Sequence, residues 1–197
     1  MGRTGTLFAC EQEDVRPDIV TIAKGLGAGY QPIAAMLCSA TIYEAIESGS
    51  GFFQHGHTYL GHPAAAAAGN AVLKAIEERD LLANVRAMGG KLKTALTARF
   101  GNHPFIGDIR GRGLFLGLEI VADRGTKDPF DPGEKVNARL KAAAMAEGLM
   151  CYPMGGTVDG RTGDHILLAP PFIIDDSHIE MIVDRLGRAV DAVFEPA

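Results

Sequence analysis

The chain has 197 residues, a net charge of −5 and 47% hydrophobic residues, enough for one large or two small domains with an ample core. The negative balance, with lysines and arginines gathered in no block, argues against a nucleic-acid surface. No apolar run reaches membrane-spanning length and no basic-then-apolar leader opens the sequence, so neither insertion nor secretion is indicated and a soluble cytoplasmic protein is expected. Cys10, Cys38 and Cys151 are odd in number and widely spaced, and they read as reduced, structural thiols.

Helical and strand patterns alternate along the chain without repeats, which predicts an α/β fold. The β-branched run in Asp18-Ile19-Val20-Thr21-Ile22-Ala23 predicts a buried extended segment that leaves Lys24 at a strand end. Gly25, Gly27 and Gly29 follow, removing side chains where a planar group next to the lysine needs room and permitting backbone angles that other residues resist. An amine desolvated in a closed cleft is nucleophilic toward an aldehyde, and pyridoxal phosphate is the biological aldehyde that suits it. The same spacing also describes a solvated lysine at a glycine turn. Two nucleotide-binding fingerprints fail on spacing: G-x-G-x-x-G needs glycine where Tyr30 stands, and the phosphate loop is broken by Leu92 after Gly90-Lys91.

Further on, the apolar run Ile33 to Cys38 predicts a buried sheet strand, and Thr41 with Glu44 has capping-box spacing for a short helix. Residues 48–61 read as a loop, and Pro63 opens a helix expected to run to about Arg79. Thr58 lies in that loop, where small polar groups near a helix start favour an anion, although from the residues alone an ordinary loop or capping role is the plainer reading. His55, His57 and His62 lack a cysteine or carboxylate spaced to complete a tetrahedral site, so packing and loop hydrogen bonds are expected of them and no metal. Ala64 to Ala68 are strong helix formers that also permit close approach of another backbone.

A second long helix is predicted over 81–99, with a domain boundary near Met88-Gly89-Gly90 that separates residues 1–88 from 89–197. Beyond it come a strand over 114–121, a helix over 132–148, strands over 149–152 and 165–169, and a last helix entered through Asp175 to Glu180, with Ser177 and Glu180 at capping-box spacing. Ile179, Ile182, Val183, Leu186, Val190 and Val193 form its apolar face. The glycine-rich loop from Pro153 to Asp164 is long enough to cover a ligand and holds one arginine, Arg161.

Several segments carry a resemblance when taken in order. They are Gly2-Arg3-Thr4-Gly5, Pro17-Asp18-Ile19, Ala23-Lys24-Gly25-Leu26 with Gly29-Tyr30-Gln31-Pro32, and Gly56-His57-Thr58-Tyr59-Leu60-Gly61-His62-Pro63. Gly111-Arg112-Gly113-Leu114-Phe115-Leu116-Gly117-Leu118-Glu119 and Leu167-Leu168-Ala169-Pro170-Pro171-Phe172 continue the series. Together they resemble a class III aminotransferase over essentially the whole chain. The resemblance implies a fold type I pyridoxal-phosphate transferase, with residues 1–88 as part of the large domain including the interdomain helix and 89–197 as the small C-terminal domain. It implies that Lys24 carries the cofactor as a Schiff base and then serves as general base. It further implies that Thr58 hydrogen-bonds the cofactor phosphate of the neighbouring subunit in a homodimer, and that Arg161 pairs with a substrate carboxylate, unless it is simply a solvated loop charge.

The reaction implied is transfer of an amino group from an ω-amino acid or amine to a keto acid such as pyruvate. Members of the family are longer: the aspartate that pairs with the pyridine nitrogen, the phosphate-binding turn and the ring-stacking aromatic precede the segment matched by Gly2 to Gly5. The chain is therefore expected to be the C-terminal half of such an enzyme and inactive alone. An aminomutase or decarboxylase on the same fold, or a non-catalytic remnant that folds, dimerises or partners a separately encoded N-terminal half, are the alternatives.

Overall fold

Strands and helices follow one another as β1 (Ile19–Ile22), β2 (Ala35–Cys38), α1 (Ala40–Ser48), α2 (Pro63–Glu78), α3 (Leu81–Phe100), β3 (Ile106–Arg112) and β4 (Phe115–Ile120), then α4 (Val136–Ala146), β5 (Tyr152–Gly155), β6 (Asp164–Leu168) and α5 (Asp176–Phe194). This computed structural model describes residues 1–194 and is the mixed α/β structure expected from the alternating patterns. The chain divides into two compact units. One comprises Met1–Gly2 and Thr6–Leu82, and the other comprises Arg3–Gly5 and the chain from Ala83 on.

The second unit is built on an antiparallel sheet in the order β3-β4-β6-β5. Alternation along β4 and β6 places Leu116, Leu118, Ile120, Ile166 and Leu168 on one buried face. Helix α3 contributes Val85, Met88, Leu92, Leu96 and Phe100 to the same core, α4 contributes Val136 and Leu140, and α5 contributes Ile179, Leu186 and Val190. Close approach depends on glycine: a Cβ on Gly89 of α3 would lie 2.4 Å from the carbonyl carbon of Gly113, so α3 meets the β3–β4 turn backbone to backbone.

Local signals moved several element boundaries. β3 was not anticipated, because Asp108, Arg110 and Arg112 hide its pattern; it exists through pairing with β4, where the Arg110 guanidinium bonds Glu119 at 2.6 Å and Asp108 at 3.0 Å. The strand expected over 149–152 begins only at Tyr152, since Leu149 N–H still donates to Ala144 (2.8 Å) as the chain leaves α4 through Gly148 at φ 70°. At α5, Asp175 rather than Ser177 receives the cap bonds, taking the Ser177 hydroxyl, the His178 N–H and the His178 ring; these donors hold its carboxyl well below the usual carboxylate range.

In the first unit β1 pairs antiparallel with β2, and α2 starts at Pro63 as expected. The helix α1 begins at Ala40 with Ser39 as N-cap, and the Ser39 side chain makes no cap bond. The expected burial is not found: all four residues of β2 are exposed, and β1 is exposed or half-buried. These two strands form a sheet by themselves, with no further strand among the described residues to flank them.

Replacing Gly89 with alanine drives a methyl into the Gly113 backbone and is expected to destabilise the second unit by about 1–3 kcal/mol. A lowered urea midpoint with unchanged slope is the measurement that checks it, and an unaltered midpoint contradicts the contact.

Candidate active site

The chain leaves β1 through Ala23 and enters a short 3-10 turn, Lys24–Leu26, in which Lys24 has φ 51°. A left-handed backbone costs a non-glycine residue about 1–3 kcal/mol and persists only where its surroundings impose it. Here Leu26 N–H donates to Ala23 and Gly27 N–H to Lys24, each at 3.2 Å, while the Leu26 side chain is buried. α2 supports the turn: a Cβ on Gly69 would stand 3.3 Å from Ile33 Cδ1 and 3.8 Å from Leu26 Cδ1.

The glycines divide their work. Gly27 lies where the chain doubles back, its missing Cβ replaced by the Gln31 carbonyl oxygen, which would be only 2.2 Å from it. Gly29, at φ 83°, has nothing within 4 Å of a Cβ position. The room expected beside the lysine is therefore found at Gly29, and at Gly27 it is filled by backbone. Lys24, Gly29, Gln31, Pro32, Ile33 and Ala34 line an open cavity of about 640 Å³, within the range of small-ligand sites. Gln31, Pro32, Ile33 and Ala34 were not singled out as site residues; their nearness to Lys24 in the sequence was the signal available. The Lys24 side chain is exposed, so the closed cleft expected around it is not supplied by the described residues.

Thr58 is exposed in the loop before α2 and is not among the residues lining the Lys24 cavity. In the same loop the rings of His55 and His57 meet edge to face with centroids 5.1 Å apart, and His62 caps α2 by accepting the Ala65 N–H at 3.4 Å. Among the described residues no group of three or more His, Cys, Asp or Glu is placed to hold a metal ion. Also among them, no helix is long and apolar enough to cross a membrane. Cys10, Cys38 and Cys151 are free, and burial pushes the Cys151 thiol up to about 11, which keeps it protonated and unreactive.

Arg161 belongs to the second unit, whereas Lys24 and Thr58 belong to the first. Its loop, between β5 and β6, is tied by backbone bonds Thr157 N–H to Gly163 (3.1 Å) and Val158 N–H to Thr162 (3.0 Å). Asp159 closes the tip, accepting from the N–H groups of Thr162 (2.7 Å) and Arg161 (2.8 Å), and these bonds pull its carboxyl below the usual range. The Arg161 side chain is exposed.

Arg3 has a role that its sequence position did not disclose. Its half-buried guanidinium donates to the carbonyls of Pro170 (2.7 Å) and Leu114 (3.3 Å) and lies 5.0 Å from the Phe172 ring centre. Burial lowers its pKa from the ordinary value. Beside it Asn84 donates to Phe172 (2.6 Å) and Ile174 (3.0 Å), and Arg86 donates to Gly5 (2.6 Å). Three separate sequence motifs thus meet around one side chain.

These residues fit a covalently held pyridoxal phosphate in one respect. An exposed primary amine stands beside an open depression, with the backbone held in an imposed conformation. A lysine turn of this kind, in a mixed α/β chain, is compatible with a pyridoxal-phosphate transferase, and the class is decided by the comparisons. The family model for class III aminotransferases matches residues 1–190, and the chain belongs to that family, whose members use pyridoxal phosphate. An aminotransferase of Gibberella zeae is 44% identical over 191 residues, 96% of this chain and 37% of its own length. A diaminobutyrate--2-oxoglutarate transaminase of Halomonas elongata is 37% identical over 195 residues, 98% of this chain and 40% of its own. In a thermostable (S)-enantioselective omega-transaminase from Thermomicrobium roseum, 35% identical, the match covers 98% of this chain and 41% of that one with a TM-score of 0.90. The chain thus spans well under half the length of these relatives.

Because Asp159 has a lowered pKa, the order it lends the loop is present above the ordinary carboxylate range and is lost as pH falls through the folded value. The amide shifts of Arg161 and Thr162 are expected to titrate together with a midpoint below 3.8, and to lose that titration in Asp159→Asn. A midpoint at or above 3.8 overturns the assignment.

Proposed function

We propose that this chain contributes the lysine-bearing part of a class III aminotransferase site, with Lys24 as the cofactor lysine. The observation that carries the reading is the left-handed Lys24 backbone at the exit of β1, on a cavity opened by Gly29. Pyridoxal phosphate, when bound, supplies an electron-withdrawing ring that stabilises negative charge at the substrate Cα. Lys24 Nζ would hold the cofactor covalently and, when free, would serve as the base that takes the proton from that Cα. Gln31, Pro32 and Ile33 line the same open cavity and would bound a group held by the amine.

The remaining roles follow the family pattern. Thr58 donates its hydroxyl to the phosphate of the neighbouring subunit's cofactor, which makes the working unit a homodimer. Arg161 pairs with the carboxylate of a substrate, a geometry that guanidinium favours. The first unit, to Leu82, acts as the cofactor-bearing part and the second as the smaller C-terminal domain, so the expected boundary near residue 88 is drawn back to the start of α3. The donor is an ω-amino acid or amine and the acceptor a keto acid, with pyruvate the first to test; the names of the Halomonas and Thermomicrobium relatives support that class of donor.

Incubation with pyridoxal phosphate followed by borohydride is expected to label the Lys24 peptide several-fold above those of the exposed Lys74, Lys91 and Lys93. Equal labelling of all exposed lysines contradicts the assignment. Gly27→Ala, which sets a methyl against the Gln31 carbonyl, is expected to erase the Lys24 preference while leaving the urea midpoint of the second unit unchanged. In the assembled enzyme, alanine formed from pyruvate and an ω-amino acid, and none with Lys24→Arg, is the expected turnover. Carbon dioxide release or migration of the amino group within one substrate places the chemistry with the decarboxylases or aminomutases instead.

A further inference from the structure

Arg161 is carried on a hairpin whose ladder is broken just below it. Strands β5 and β6 pair in regular register as far as Gly155, which lies opposite Asp164. Gly156 then takes φ 77°, and the next bond across the loop runs from Thr157 N–H to the Gly163 carbonyl at 3.1 Å, one residue out of step. An extra residue of this kind bends a strand and leaves the ladder locally unpaired, so the outer loop needs a further tie to hold one position.

That tie is a bond between side chains. Thr157 Oγ1 lies 2.7 Å from His165 Nδ1, which joins the loop beyond the break to the strand below it. His165 belongs to an inner strand: β6 lies between β4 and β5, and His165 stands opposite Glu119 on one side and Met154 on the other. Its strand neighbours Asp164 and Ile166 are buried, which fixes the opposite face of the sheet as the one that bears the ring. The outer loop is also compact. A Cβ on Gly163 would come 2.7 Å from Val158 Cγ2, and one on Gly156 would come 2.9 Å from the Gly160 carbonyl oxygen. The loop is therefore a tight hairpin, closed at its tip by Asp159 and strapped to the sheet at its foot by Thr157.

We propose that Thr157 and His165 are positioning residues for Arg161: their bond straps the hairpin to β6 across the break in the ladder, so that the arginine is offered to a substrate carboxylate from a fixed backbone position. The positioning role rests on the reading of Arg161 as the carboxylate partner. The strap itself does not.

Hydrogen exchange in the full chain tests the strap. The Thr157 and Val158 amides, which donate across the loop, are expected to be protected, and Thr157→Val is expected to speed their exchange, corrected for intrinsic rates, about three- to tenfold. His165→Phe is expected to do the same, Thr157→Ser to restore protection, and the amides of Ile166 and Leu168 to stay unchanged throughout. Unprotected Thr157 and Val158 amides in the unaltered chain overturn the proposal, as does exchange that neither variant speeds. Acceleration that spreads to Ile166 and Leu168 also overturns it, because the bond then supports the sheet as a whole. Turnover in the assembled enzyme separates the strap from the reading of Arg161. Thr157→Val is expected to raise KM for an ω-amino acid about threefold or more relative to a carboxylate-free amine, with the ratio of their kcat values unchanged and Thr157→Ser restoring the original KM ratio. An unchanged KM ratio beside the expected exchange removes Arg161 as the carboxylate partner, and its positioning with it, while the strap stands.

Discussion

The backbone contact between Gly89 and Gly113 sets the arrangement of the second unit. With no Cβ at either position, α3 lies directly on the turn between β3 and β4, and the Arg3–Gly5 segment comes within reach of the same turn: a Cβ on Gly113 would stand 2.6 Å from the Arg3 carbonyl oxygen. Leu114 N–H then donates to that carbonyl at 3.0 Å. Arg3 extends from this point to Pro170 and Phe172, so the close approach of two glycines decides where three distant stretches of chain meet. The half-buried cation is compensated by carbonyl dipoles and a ring face, which suits a delocalised, weakly hydrated guanidinium better than an ammonium.

Around Lys24 the same kind of economy operates on a smaller scale. Gly27 lets the chain fold onto Gln31, Leu26 anchors the turn against α2, and the strain of the Lys24 backbone is held by those neighbours. The turn is well determined locally although the sheet that leads into it is bare. A lysine in this position is presented to solvent. The exposed faces of β2 and the exposed amine are thus two consequences of the same shortage of apolar cover.

Much of the element plan was legible in the sequence because it depends on local periodicity. α2 and α3 fall close to the expected spans, and β4 and β6 show the alternation that placed them. β3 was hidden because its charged residues face solvent and its order comes from pairing with β4. The capping-box spacing of Ser177 and Glu180 did not disclose the cap of α5, because the Asp175 carboxylate accepts the His178 N–H and the Ser177 hydroxyl is itself a donor to it. Burial of β1 and β2 was read from their apolar composition, but burial is a property of what lies against a strand, and composition cannot supply the neighbour.

The sequence by itself determined the family, because ordered motifs such as Ala23 to Pro32 and Leu167 to Phe172 are linear features, and it singled out Lys24 as the candidate cofactor lysine. Only the tertiary structure decided that Gly29 opens the cavity while Gly27 closes a turn, that Thr58 lies off that cavity, and that Arg161 sits in a loop ordered by Asp159. It also decided that Arg3 binds motifs more than a hundred residues away. The division has a plain physical origin. Strand and helix patterns are written in neighbouring residues, whereas the room beside a glycine, the partner of a guanidinium and the cover over a strand depend on chain segments that the sequence places far apart.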